Sequence, residues 1–105
     1  MGETLPYLLW RFDSRWQEEL GEDLPPEALP SAIIKRHFAV TTSGVCDPGA
    51  LAAAIAALGE DSVMFSVDYP YEDTPTAAAF IDSAPISGAV RAKVCHGNAA
   101  RLLRL

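Results

Sequence analysis

The stretch "FAVTTSGVCDPGALAAAIAALGEDSVMFSVD", residues 38–68, decides the fold. "HFAVTT" (37–42) reads as a strand, and "SGVCDPG" (43–49) as the turn out of it. Asp47-Pro48 is a helix start, a cap residue followed by a first-turn proline. "GALAAAIAAL" (49–58) then reads as a packed small-residue helix closed by Gly59. "VMFSV" (63–67) is a second strand. Strand, helix, strand is the pattern of a parallel pair joined by a crossover. Both strands are apolar along their length, as parallel strands buried on two faces are. Two such strands leave unpaired edges and cannot close a barrel or make a stable sheet alone. The local grammar is α/β, but the chain is too short for the architecture it implies.

Helices flank this unit on both sides. Residues 5–19 place Leu5, Leu8, Leu9, Phe12 and Trp16 at helical spacing on one apolar face, with Pro6 in the first turn and Gly21 after the end. "GEDLPPEALP" (21–30) is a proline-rich connection, and a short helix is expected over Ser31–His37 with Ser31 as its cap. Further helices are expected at 75–82, at 87–95, and from Asn98 to the end with Asn98 as cap. There is no internal repeat or low-complexity tract.

With 105 residues, half of them apolar, the chain has material for one domain with a modest core rather than for a disordered segment. A formal charge of −6 argues against a nucleic-acid partner, whose phosphates attract basic surfaces. No apolar run approaches the roughly 20 residues of a membrane span, and nothing at the N-terminus resembles a signal peptide. Cys46 and Cys95 lack CxxC spacing, so they are expected to be reduced, small apolar side chains in a cytoplasmic protein.

The second strand ends on an acid, Asp68, followed by the stiff aromatic-proline-aromatic turn Tyr69-Pro70-Tyr71. Asp68 could simply begin a surface loop, or a strand tip could be presenting a carboxylate. The segments "GETLPYLLWRFDSRW", "HFAVTTSG", "MFSVDYPYED" and "HGNAARLLRL" weigh on that choice. In order and at similar spacing, they resemble the last third of the amidohydrolase-related, metal-dependent decarboxylases. That family removes a carboxyl group from dihydroxybenzoates, vanillate-type acids and aminocarboxymuconate semialdehyde.

The resemblance implies a distorted (β/α)8 barrel of about 250 residues. Residues 1–105 would hold its last two βα units and terminal helices, with no second domain. Met1 would then be an internal methionine, following the Gly-His pair that the family carries at the tip of strand six. Asp68 corresponds to the family's metal-binding aspartate at the end of strand eight, a hard ligand suited to Zn or Mn and also the expected proton carrier. Glu3 corresponds to the glutamate of a His-x-x-Glu pair that tunes the site's acid–base chemistry. Arg11 corresponds to an arginine that pairs with the substrate carboxylate, for which a guanidinium fork is suited; its alternative is an exposed helix arginine paired with a carboxylate. Tyr71 corresponds to an aromatic beside the substrate ring, or else packs on a neighbouring helix. Thr4 departs from the glycine usual at its position. His37 and His96 read as structural, because barrel chemistry sits at the other face.

The expected function is therefore a piece of a non-oxidative decarboxylase for a hydroxylated aromatic or related unsaturated carboxylic acid. In the family the metal acts as template and Lewis acid on the substrate carboxylate and adjacent hydroxyl. The alternatives are a lactone or amide hydrolase of the same superfamily, or a non-catalytic remnant. Alone, the chain is expected to be inactive, to bind no metal tightly and to self-associate, as a homo-oligomer or otherwise.

Overall fold

A computed structural model describes residues 2–21 and 23–105; Met1, whose role as an internal methionine was expected, lies outside the described residues. The elements run α1 (Thr4–Leu20), a 3-10 turn (Pro26–Ala28), α2 (Pro30–His37), β1 (Val40–Thr41), α3 (Pro48–Leu58), β2 (Val63–Met64), α4 (Thr74–Ser83), α5 (Gly88–Ala92), a π-helical turn (Lys93–Gly97) and α6 (Asn98–Leu103).

The central unit folds as its sequence predicts. Asp47 caps α3, its carboxylate accepting from the Ala50 amide at 2.7 Å, with Pro48 in the first turn. Gly59, at φ 92, ends the helix. β1 and β2 then pair in parallel, Val40 opposite Val63 and Thr41 opposite Met64. The core forms where α3 and the C-terminal helices close on β2: Leu51, Ala54, Val63, Phe80, Ile81, Ala84 and Val94, with Val40, Ile55 and Phe65 packed against them. Alanines at this interface let the helix approach the strands closely, and each large side chain buried there contributes about 1.5–3 kcal/mol.

Five expectations change. The strands are two residues long, not the five or six the apolar runs suggested, because the ladder ends as soon as the chain of β1 turns away at Thr42. The expected open edges are partly covered. Gly2 lies so close to β1 that a Cβ there would stand 2.8 Å from Val40 Cβ, and the outward Phe65 amide donates to the Val94 carbonyl at 2.8 Å. Ser31 does not cap α2, which starts from Leu29 with Pro30 in its first turn; instead the Ser31 amide donates to Asp13 of α1 at 2.8 Å. Nor is Asn98 a cap. It is helical, with φ −69, and 2% exposed, donating through Nδ2 to the Glu60 and Val63 carbonyls at 2.7 and 2.8 Å. The helix expected over 87–95 is correspondingly split, passing from α5 into the π turn.

Helix α1 is amphipathic, but its apolar face is only partly covered: Leu9 is buried, while Phe12 and Trp16 are exposed, as are Tyr7 and Trp10. The chain is elongated, 49 × 26 × 25 Å with a radius of gyration of 15.3 Å, against roughly 13 Å for a compact domain of this length. Cys46 and Cys95 are free and exposed rather than core residues. Partial burial holds the Cys95 thiol above its ordinary value, which disfavours the nucleophilic thiolate.

Candidate active site at the carboxyl ends of the strands

Because β1 and β2 are parallel, the segments that follow them emerge on one side. After β1, Thr42–Val45 form a turn in which the Val45 amide donates to the Thr42 carbonyl at 2.9 Å, with Gly44 at φ 72. That positive φ is the one a type II turn reserves for glycine. After β2 the chain reaches Asp68 at φ 80, an unusual value for a residue with a side chain. The Asp68 carbonyl accepts from the Tyr71 and Glu72 amides at 2.9 and 3.2 Å, so the strained residue is anchored by the turn it starts. The two segments meet: Asp68 Oδ2 and Glu72 Oε1 lie 3.9 and 3.7 Å from where a Gly44 Cβ would stand.

Glu3 belongs to the same end. It is exposed and lines a cavity of about 20 Å³ with Thr41, Thr42, Val45 and Leu51, held there by the packing of Gly2 on β1. Arg11 lies eight residues further along, on α1, roughly 12 Å away by helical rise. It is exposed, and among the described residues it has no carboxylate partner. Tyr71 is 85% exposed and does not pack on a neighbouring helix. The structure thus gathers Glu3, Asp68 and Tyr71 toward the loop end and leaves Arg11 apart on its helix.

His37 ends α2 before β1, and His96 sits in the π turn, both exposed. The amino end of β2 carries a separate polar cluster. Lys93 pairs with Glu60 and with Asp61 at 2.9 Å, and those contacts, Glu60 first, raise the lysine above its usual value. Sequence reasoning missed Gly2, Thr42 and the long-range role of Asn98. A threonine at a strand end was the signal for Thr42, whereas Gly2 stands far from β1 in the sequence and its packing there is purely tertiary.

The amidohydrolase family profile matches residues 4–105. The chain belongs to the amidohydrolase family. Among its relatives, a gamma-resorcylate decarboxylase of Rhodococcus jostii (strain RHA1) is 40% identical over 110 residues, covering 100% of this chain and 32% of that protein. A crystal structure of 5-carboxyvanillate decarboxylase from Sphingomonas paucimobilis superposes with a TM-score of 0.83 at 41% identity, covering 95% of this chain and 30% of that one. A second 5-carboxyvanillate decarboxylase, from Novosphingobium aromaticivorans DSM 12444, was solved with manganese and 4-hydroxy-3-methoxy-5-nitrobenzoic acid; it superposes at 0.85 with 28% identity, over 99% of this chain and 31% of that one.

This amidohydrolase chain spans about a third of the length of the relatives it matches, and its fold is the barrel segment that the family resemblance implied. The relatives named above are decarboxylases. The relatives also include manganese-bound structures, but the donor set here does not fit a metal by itself. Asp68 is a suitable hard ligand, yet among the described residues no group of three or more His, Cys, Asp or Glu converges. Among those residues, too, no helix is long and apolar enough to cross a membrane.

Proposed function

We propose that this chain is the C-terminal part of a decarboxylase for hydroxylated aromatic carboxylic acids and that it furnishes one side of the active site. The observation that supports this most is Asp68. An acid at the carboxyl end of a parallel strand, held at φ 80 by its own turn, is the strained, loop-presented group expected where function outweighs backbone comfort. The identity with resorcylate and carboxyvanillate decarboxylases supports the substrate class.

In this reading Asp68 serves twice. Its carboxylate would supply one oxygen ligand to a divalent cation, with the other ligands coming from the rest of the barrel. Its carboxyl proton goes to the ring carbon from which carbon dioxide departs, so that the carbon–carbon bond is replaced by a carbon–hydrogen bond. Glu3 orients the acid–base partner. Arg11 offers two parallel N–H donors to the substrate carboxylate, and Tyr71 covers the ring. The exposed aromatics of α1, Tyr7, Trp10 and Trp16, support either burial against the remaining barrel or self-association of the isolated chain.

A chimera tests the proposal. Residues 1–105 replace the matching segment of the R. jostii decarboxylase, and carbon dioxide release is followed from gamma-resorcylate, from 5-carboxyvanillate and from a lactone panel. Manganese-dependent release from an aromatic acid is expected. A folded, manganese-loaded chimera that hydrolyses lactones and releases no carbon dioxide would overturn it.

A further inference from the structure

The parallel ladder between β1 and β2 is carried by main-chain bonds, Val40 N–H to the Ser62 carbonyl at 2.8 Å and Thr42 N–H to the Met64 carbonyl at 3.0 Å. Continued by main chain, the next two bonds would join the Ser66 N–H to the Thr42 carbonyl and the Ser66 carbonyl to the Gly44 N–H. Neither is made. The Thr42 carbonyl is taken by the Val45 amide, because the chain of β1 turns away there. The Thr42 hydroxyl replaces both missing partners, accepting from the Ser66 amide at 3.1 Å and donating to the Ser66 carbonyl at 3.0 Å. Thr42 is buried, 8% exposed, so water is a poor substitute for that hydroxyl.

Ser66 is two residues before Asp68. From Ser66 onward the backbone has no strand beside it, yet Asp68 must hold φ 80. The turn through Tyr71 and Glu72 anchors Asp68 from its far side. On the near side the Phe65 amide is tied to the Val94 carbonyl, and among the described residues the Thr42 hydroxyl on Ser66 is the last anchor before Asp68. We propose that Thr42 is a positioning residue for Asp68: its hydroxyl extends the ladder past the turn of β1, and so fixes the direction in which the Asp68 carboxylate is offered. The functional consequence rests on the reading of Asp68 given above; the clamp itself does not.

The two are tested separately. In the 105-residue chain, amide exchange at Ser66 and Asp68 is followed by NMR for the wild type, Thr42→Val and Thr42→Ser. Valine keeps the shape and removes the hydroxyl. Protection at Ser66 should be lost in Thr42→Val, with a displaced Asp68 resonance, and kept in Thr42→Ser. Equal protection in all three overturns the clamp. In the chimera, Thr42→Val should weaken manganese affinity and lower kcat by about 10–100-fold, as loss of groups that orient a ligand does, with KM little changed and Thr42→Ser restoring both. Leu58→Ala, a buried core change at the carboxyl end of α3, which leads into the amino end of β2, is the control: at a matched loss of thermal stability it should leave manganese affinity unchanged. If Leu58→Ala weakens manganese as much as Thr42→Val does, Thr42 is merely structural. If Thr42→Val does not fold, loss of the clamp or of manganese affinity in Thr42→Ser overturns the proposal and their retention supports it. A wild-type chimera without manganese or decarboxylation refutes the functional reading while the exchange result still decides the clamp.

Discussion

Asn98→Ala should destabilise the chain more than any exposed substitution in it. The Asn98 amide reaches from α6 to the amino end of β2, donating to the buried Val63 carbonyl and the part-buried Glu60 carbonyl. Removing it leaves the Val63 carbonyl without that partner, at a cost of about 1–3 kcal/mol, while the Glu60 carbonyl is partly rehydrated at about 0.5–1.5 kcal/mol. A net loss of about 2–3 kcal/mol follows, or roughly 10–20 °C in Tm for a chain of this size. Asn98→Asp sharpens the test, because it keeps the shape but aims an acceptor-only carboxylate at two carbonyls. Burial beside those dipoles raises the introduced carboxyl above its unfolded value of about 3.9. The folded state then binds the proton more tightly than the unfolded state. Stability of that variant is greatest below pH about 3.9 and falls as pH rises through the folded value. Thermal melts by circular dichroism at pH 3.5 and 7 measure both effects. A Tm loss under about 3 °C for Asn98→Ala, or an Asn98→Asp variant equally stable at both pH values relative to the wild type, would refute the reasoning.

Calorimetry on the 105-residue chain should show Zn and Mn binding no tighter than millimolar, since one carboxylate cannot replace several convergent ligands; a stoichiometric micromolar site abolished by Asp68→Ala would contradict this. Gly2→Ala should cost about 1–3 kcal/mol in melts, because the added methyl would meet Val40 Cβ at 2.8 Å and the Thr41 carbonyl at 3.2 Å. Unchanged stability would mean that Gly2 is not packed on β1. The Asp73 cap of α4 is held below its ordinary value of 3.8 by the Thr76 hydroxyl and amide. Its contribution is therefore present above about pH 3.8 and lost as pH falls through the lowered folded value. Asp73→Ala should flatten the acid limb of the stability profile, and an unaltered limb would count against the cap.

What was legible in the sequence was local. Asp47-Pro48 and Gly59 bracket α3 through interactions spanning a few residues, so the strand–helix–strand unit and its parallel pairing could be read directly. Ser31 and Asn98 misled because both are favoured caps, while their actual partners lie 18 and 35–38 residues away. Strand length was overread because apolar, β-branched composition reports burial and not how far a neighbouring ladder extends. At the site, Asp68 could be found from its position after "VMFSV", but its φ could not, since that depends on the turn bonds to Tyr71 and Glu72 and on the Thr42 clamp. Arg11 and Tyr71 were named by resemblance, and both stand exposed.

The most direct measurement compares two substitutions in the chimera, Asp68→Asn at the carboxyl end of β2 and His37→Ala before β1. Single-turnover release of carbon dioxide from gamma-resorcylate should fall by at least about 100-fold in the first, which removes the proposed proton carrier, and by less than about threefold in the second, whose side chain lies before β1, at the other end of the strands. Comparable losses in both, or an Asp68→Asn chimera that keeps most of its rate, would contradict the assignment of Asp68 as the residue around which this end of the barrel is built.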